Sequence, residues 1–136
     1  MTIIVETIVN AEIEAVWLAW TTPEDIKHWN AASDDWHTTS AEVNLQPGGK
    51  FTSRMEARDG SFGFDFSGVY RTVIPHRLIE YTLDDERKVR IEFSTTDSKT
   101  KIVESFEPES QNSIELQKFG WQAILTNFKS YVEAHK

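Results

Sequence analysis

Residues 44–56 read NLQPGGKFTSRME. Two glycines followed by Lys50 resemble a phosphate cradle, and a phosphate cradle would place the chain among parallel α/β folds. Such a loop joins a strand to a helix whose first amides hold the anion. Here the glycines lead into KFTSRMEA, where Phe51, Met55 and Ala57 alternate with polar residues as in a strand. Pro47 followed by Gly48 suits the two central positions of a type II turn. The segment therefore reads as a hairpin, Lys50 opens its second strand, and the sheet is antiparallel.

Alternation continues on both sides of this hairpin. Upstream lie Ala41, Val43 and Leu45, with His37 beside Trp36 on the same parity. Downstream, Phe62, Phe64, Phe66 and Tyr70 keep one parity, followed by Ile79/Tyr81/Leu83, Val89/Ile91/Phe93 and Ile102/Phe106. Asp59-Gly60, Pro75-His76, Asp84-Asp85 and Asp97-Ser98 punctuate the runs. Consecutive strands with such short connections pair as an antiparallel meander. Before them comes the β-branched run TIIVETIV (residues 2–9), then two short helical patterns. The first carries Ile13, Val16, Trp17 and Trp20 with Asn10 as its expected cap. The second starts at Thr22-Pro23, with Thr22 as cap and proline in the first turn, and carries Ile26 and Trp29. After Pro108, Trp121, Ile124, Leu125, Phe128 and Val132 mark a long amphipathic helix, capped by Asn112 or Ser113, with Glu115 available for a capping box with Asn112.

The expected fold is α+β: a seven-stranded curved antiparallel sheet, two short helices after the first strand, and a long C-terminal helix over the concave face. All 136 residues are expected to form one domain. A helix about 10 Å wide cannot cover a curved sheet of that size, so a cavity between them is expected.

Composition narrows the partners. The chain has no cysteine, so disulfides and thiolate chemistry are excluded. A formal net charge of −8 repels a phosphate backbone, and no nucleic-acid partner is expected. No apolar run approaches the ~20 residues of a membrane span. MTIIVETIVN lacks the basic start of a secretory signal, so a cytoplasmic location is expected.

Four motifs occur in an order and spacing that resemble one family. They are VWLAWTTPEDIKHW (16–29), LQPGGKF (45–51), GVYRTVIPHRLIEYT (68–82) and GWQAILTNF (120–128). The sequence is similar to the family of activators of the ninety-kilodalton heat-shock protein ATPase, within the superfamily of START-related, birch-pollen-allergen-like and polyketide-cyclase-like domains. That resemblance implies the helix-grip fold, in agreement with the element order above. The superfamily includes lipid and hormone carriers, aromatic cyclases and dehydratases, and co-chaperone domains. None of the four motifs is a catalytic signature.

Candidate site residues follow from the alternation. Met55, Phe64, Phe66, Tyr81, Phe93, Phe119 and Ile124 are expected to wall the cavity, with Trp20 and Trp29 near its entrance. Tyr70 or Tyr81 would offer a hydroxyl to a guest. Glu104 shares parity with Ile102 and Phe106, which points it inward. A bulge would instead turn Lys101, Val103 and Ser105 to that side. Inside an apolar cavity its carboxyl would have a raised pKa and be a candidate general acid or base. The four histidines, His28, His37, His76 and His135, show no helical zinc spacing, so no metal or other cofactor is expected.

Three functions fit these residues. The leading expectation is a binding module for a small hydrophobic or aromatic molecule. The resemblance also implies a co-chaperone domain with a heat-shock chaperone as partner. The third is a cyclase, dehydratase or hydrolase acting on a hydrophobic substrate.

Overall fold

A computed structural model describes residues 1–135. The elements run β1 (Ile3–Val9), α1 (Ile13–Thr21), α2 (Pro23–Trp29), β2 (Trp36–Val43), β3 (Lys50–Ala57), β4 (Gly63–Ile74), β5 (Leu78–Leu83), β6 (Lys88–Thr96), β7 (Lys99–Phe106) and α3 (Ile114–Ala134). The seven strands form one antiparallel sheet in the order β1-β7-β6-β5-β4-β3-β2. Strands β2 to β7 are thus a meander, and β1 returns beside β7 to close the far edge. This is the helix-grip arrangement expected from the pattern.

Residues 44–56 do make the hairpin. Gly48 has φ +84°, which a glycine adopts without a Cβ penalty, and the Gly49 amide donates to the Gln46 carbonyl at 2.8 Å. The Gly48 amide also donates to the Tyr70 carbonyl, and the Tyr70 amide to the Gly49 carbonyl, so the turn is stitched to β4. A Cβ on Gly49 would lie 2.1 Å from the Asn44 carbonyl oxygen. Lys50 is an exposed strand residue.

Period-two alternation holds on the last strands, where Val89, Ile91 and Phe93 on β6 and Thr100, Ile102, Glu104 and Phe106 on β7 are all buried. The convex face carries charge instead, as where Arg90 bridges Glu80 and Glu92 at 2.7 Å each. Two bulges shift the parity elsewhere. One lies between Thr38 and Ser40 in β2, the other between Tyr70 and Thr72 in β4. The first corrects an expectation. His37 pairs with Glu56 while buried Thr38 pairs with buried Met55, so His37 lies on the face opposite Ala41 and Val43.

The helix starts also differ in detail. Glu12, not Asn10, occupies the cap position of α1, and it makes no side-chain cap bond. The Asn10 amide is engaged by the Glu133 carboxylate at 2.8 Å instead. Thr22 precedes Pro23 as expected but its side chain does not cap α2. Ser113 caps α3, accepting from the Leu116 amide at 3.1 Å. The Asn112–Glu115 capping box does not form, because Asn112 lies outside the cap position and its side chain donates to Glu109.

The long helix is anchored along the free edge of β1. Gln122 donates to the Glu6 carbonyl at 3.2 Å, and Lys129 to the Ile8 carbonyl at 2.6 Å and to Glu133 at 2.7 Å. These bonds cover edge carbonyls that would otherwise stay unpaired. The C-terminal half of α3 buries Leu125, Phe128 and Val132 in the core, next to Trp20 and Trp29. In its N-terminal half only Gln117 is buried, and Trp121 reaches the sheet by stacking on Phe106.

The hairpin geometry predicts that Gly49→Ala destabilises the protein by roughly 1–3 kcal/mol, since the clash is with backbone. Lys50→Ala should change stability by less than about 0.5 kcal/mol, as for an ordinary surface site. Urea unfolding of the two variants checks this. Comparable losses from both would contradict the hairpin assignment of Lys50.

Candidate functional site

Because α3 is tied to the β1 side, it does not seat directly on the concave surface of β3, β4 and β5, and a gap stays open beneath its N-terminal half. A cavity of about 350 Å³ fills this space. Its floor is Phe51, Ser53 and Met55 from β3, Phe64, Phe66 and Tyr70 from β4, and Ile79 and Tyr81 from β5. Trp20, Ile26 and Trp29 close one end. Trp121 and Ile124 of α3 form the roof, and Glu104 of β7 forms the back wall.

The rings are held against one another and not free to collapse inward. Trp29 donates to the Ala19 carbonyl at 3.0 Å and packs on Trp20, with centroids 4.9 Å apart. Trp121 stacks on Phe106 at 3.9 Å with planes 9° apart. Phe51 packs edge-on against Tyr81 at 4.7 Å. Gln117 braces the segment before α3 by accepting from the Glu109 amide and donating to the Glu109 and Asn112 carbonyls. Rigid rings that meet at angles leave irregular space, which a close-packed core of aliphatic side chains would not.

The polar content of this space is small. Glu104 is only 6% exposed, and no bump intervenes in β7: Glu104 pairs with Val5 on one side and Ile91 on the other. No hydrogen bond reaches its carboxyl from the described residues, and burial pushes its pKa up to about 8. Burial likewise pushes the Tyr70 hydroxyl up to about 12 and the Tyr81 hydroxyl well above its ordinary value, the latter also through proximity to Glu104. At neutral pH all three groups therefore carry their protons. Arg87 lies at the edge of the cavity, with its guanidinium engaged by Asp85 at 2.8 Å.

Of the residues expected to form the wall, Trp20, Trp29, Met55, Phe64, Phe66, Tyr70, Tyr81 and Ile124 surround the cavity, and Glu104 faces it. Two do not. Phe119 is 73% exposed, because it sits two residues from both Gln117 and Trp121 and so projects about 200° round the helix from the buried stripe. Phe93 points to the concave side but lies under α1, packed edge-on against Trp17 at 5.3 Å and Trp20 at 5.7 Å. Sequence reasoning missed Ser53 and Gln117, polar residues on otherwise apolar faces. Trp121, which the sequence places only on the apolar stripe of the last helix, roofs the cavity with its indole. Phe64 is 42% exposed and touches the outer pair Trp36 and Phe62, so the mouth opens on that side.

Among the described residues no histidine or lysine lines the cavity. Among the described residues no cluster of three histidine, aspartate or glutamate side chains could hold a metal. No helix among them is long and apolar enough to cross a membrane.

A curved antiparallel sheet gripping a long helix, with a hollow between them, defines the helix-grip class of domain. Residues 10–133 match the family described as activator of Hsp90 ATPase homolog 1-like protein, and the chain belongs to that family. An AHSA1-like protein from Aeromonas hydrophila is 45% identical, with a TM-score of 0.93 over 99% of this chain and 94% of that one. The protein Chr148 from Cytophaga hutchinsonii is 53% identical, with a TM-score of 0.85 over 98% and 93%. CV1439 from Chromobacterium violaceum shares the fold at a TM-score of 0.87 with 21% identity, covering 98% of each chain. No curated protein matches the chain.

The buried carboxyl carries a testable pH signature. Its folded pKa is raised, so between about 4.5 and 8 the folded state holds a proton that the unfolded state has released. That contribution to stability is full below pH 4.5, falls by about 1.4 kcal/mol per pH unit as pH rises, and is lost above pH 8. Glu104→Gln removes this dependence. Its stability relative to the parent should therefore climb between pH 5 and 8 and level off above that, as measured by urea unfolding. Parallel stability curves would show that Glu104 is solvated.

Proposed function

We propose that the protein binds a small, largely aromatic molecule in the cavity between the sheet and α3. The observation that supports this most is the combination of a hollow of about 350 Å³ walled by rings with a buried carboxyl that has no hydrogen-bond partner among the described residues. Its volume falls at the lower end of the ~300–1,000 Å³ typical of small-molecule sites. An apolar hollow of this size lowers stability relative to a filled core, and the Glu104 carboxyl facing it has hydrogen-bonding capacity that the described residues do not use. A guest fills the first and engages the second. Rings supply apolar contact area, and the few polar groups fix its orientation.

Catalysis has less support in the same geometry. General acid–base chemistry needs a group matched to each proton transfer. Glu104 can serve as one such group, but among the described residues no histidine or lysine lines the cavity to accompany it.

Family membership favours a second reading, an interaction with a heat-shock chaperone. The outer side of α3 shows the apolar residues Leu116 and Phe119 exposed, as a protein-binding surface would. ATPase rates of the cognate chaperone with and without excess protein, repeated with Phe119→Ser, separate this reading from the first. An unchanged rate removes it and leaves the cavity reading untouched.

Binding in the cavity is tested by fluorescence, since Trp20, Trp29 and Trp121 border it. Bicyclic and tricyclic aromatic compounds should change the emission saturably. Ser53 projects from the floor and makes no hydrogen bond with the described residues, so Ser53→Phe should fill the hollow. That variant should lose at least tenfold in affinity while keeping the parent's melting temperature or exceeding it. Unaltered affinity in a folded Ser53→Phe protein would place the guest elsewhere.

A further inference from the structure

The polar groups inside the cavity define what the guest must offer them. Glu104 on β7 and Tyr81 on β5 face the same space, near enough for the charge of one to act on the other. Neither has a hydrogen-bond partner among the described residues. The side chains around Glu104 leave it so: its strand neighbours are Val5 and Ile91, and α3 presents Gln117, Trp121 and Ile124 to the cavity.

The other titratable groups bordering the space are Tyr70, Arg87 and Glu109. Arg87 is occupied by Asp85 and by the Glu107 carbonyl. The Glu109 carboxylate accepts from the Gln111 and Asn112 amides and from the Asn112 side chain, which hold its pKa below the ordinary range. Tyr70 keeps its proton, with a pKa pushed up to about 12. No charged group is therefore aimed at Glu104 to ionise it.

Three kinds of guest can be compared against this set. An anionic headgroup would meet no uncommitted cation among the cavity-lining residues. An ammonium group would need Glu104 ionised, and with a pKa of about 8 the acid is protonated roughly ten to one at pH 7. A neutral acceptor needs no change of charge, because a protonated carboxyl and a phenol both donate O–H bonds. Glu104 as a neutral acid and Tyr81 as a phenol therefore offer two O–H donors to the same space.

We propose that the guest is an aromatic molecule bearing a neutral acceptor oxygen, a carbonyl in the simplest case, which accepts hydrogen bonds from the Glu104 carboxyl and the Tyr81 hydroxyl. This rests on the cavity being the binding site and specifies the chemistry that the site selects. The aromatic walls accept the ring system with little discrimination. The Glu104–Tyr81 pair sets its direction and rejects ring systems that leave the two donors unsatisfied.

Three near-isosteric probes test it: 2-acetylnaphthalene, 2-isopropylnaphthalene and 1-(2-naphthyl)ethylammonium, titrated by tryptophan fluorescence from pH 6 to pH 9.5. The ketone should bind roughly three- to tenfold tighter than the hydrocarbon at pH 6. That advantage should fade as pH rises through about 8, while the hydrocarbon's affinity stays level. Glu104→Gln still donates, so it should keep the preference and lose its pH dependence; Glu104→Leu should lose the pH dependence as well and keep only the smaller part of the preference that the Tyr81 hydroxyl supplies. Ketone and hydrocarbon binding alike at every pH would overturn the proposal and leave the cavity reading standing. An ammonium probe that binds tightest, and tighter still as pH rises, would overturn it by making Glu104 a counter-ion. Failure of all three probes to bind would remove the cavity reading and the proposal with it.

Discussion

The edge of β1 governs the rest of the structure. An edge strand exposes unpaired carbonyls, and here α3 covers them with Gln122 and Lys129 side chains while Glu133 receives the Asn10 amide. This fixes the helix at one side of the concave face. Six strand spacings of about 4.8 Å make the sheet roughly 29 Å across, whereas the helix is ~10 Å wide. A helix centred over the sheet would leave two shallow troughs. One pinned to the β1 side leaves a single deep hollow over β3, β4 and β5.

The two halves of α3 then do different work. Leu125, Phe128 and Val132 lock its C-terminal half into the core, with the hydroxyl of Tyr131 bonded to Asp25 and the Asn127 amide bonded to the Ala31 carbonyl. The N-terminal half makes few buried contacts and is held by Ser113 at its cap, by Gln117, and by Trp121 stacked on Phe106. A roof anchored firmly at one end and lightly at the other opens locally at the lighter end at low free-energy cost, as regions with few buried contacts do.

Much of this was legible in the sequence because side-chain period reports directly on buried faces. The order of elements, the hairpin at Pro47-Gly48 and the inward direction of Glu104 all follow from parity. Parity fails where a bulge inserts a residue, as at Thr38–Ser40, which reversed His37. It also cannot separate two ways of being buried. Phe93 and Tyr81 have the same inward pattern, yet Phe93 meets Trp17 and Tyr81 meets open space, a difference set by where α1 crosses the sheet. Phe119 differs for another reason: it is apolar but lies off the helical stripe, so its angle, not its composition, decides that it faces solvent. Ser53 and Gln117 were invisible because a polar residue at an inward position carries no apolar signal.

The central claim is that an enterable hollow lies beneath the N-terminal half of α3 while the C-terminal half is close-packed. Methyl NMR of isoleucine-, leucine-, valine- and methionine-labelled protein titrated with naphthalene tests this directly. The account predicts saturable shifts for the methyls of Met55, Ile79 and Ile124, with Ile102, Leu125 and Val132 unmoved. Shifts absent from the first group, or equal in both, would contradict it.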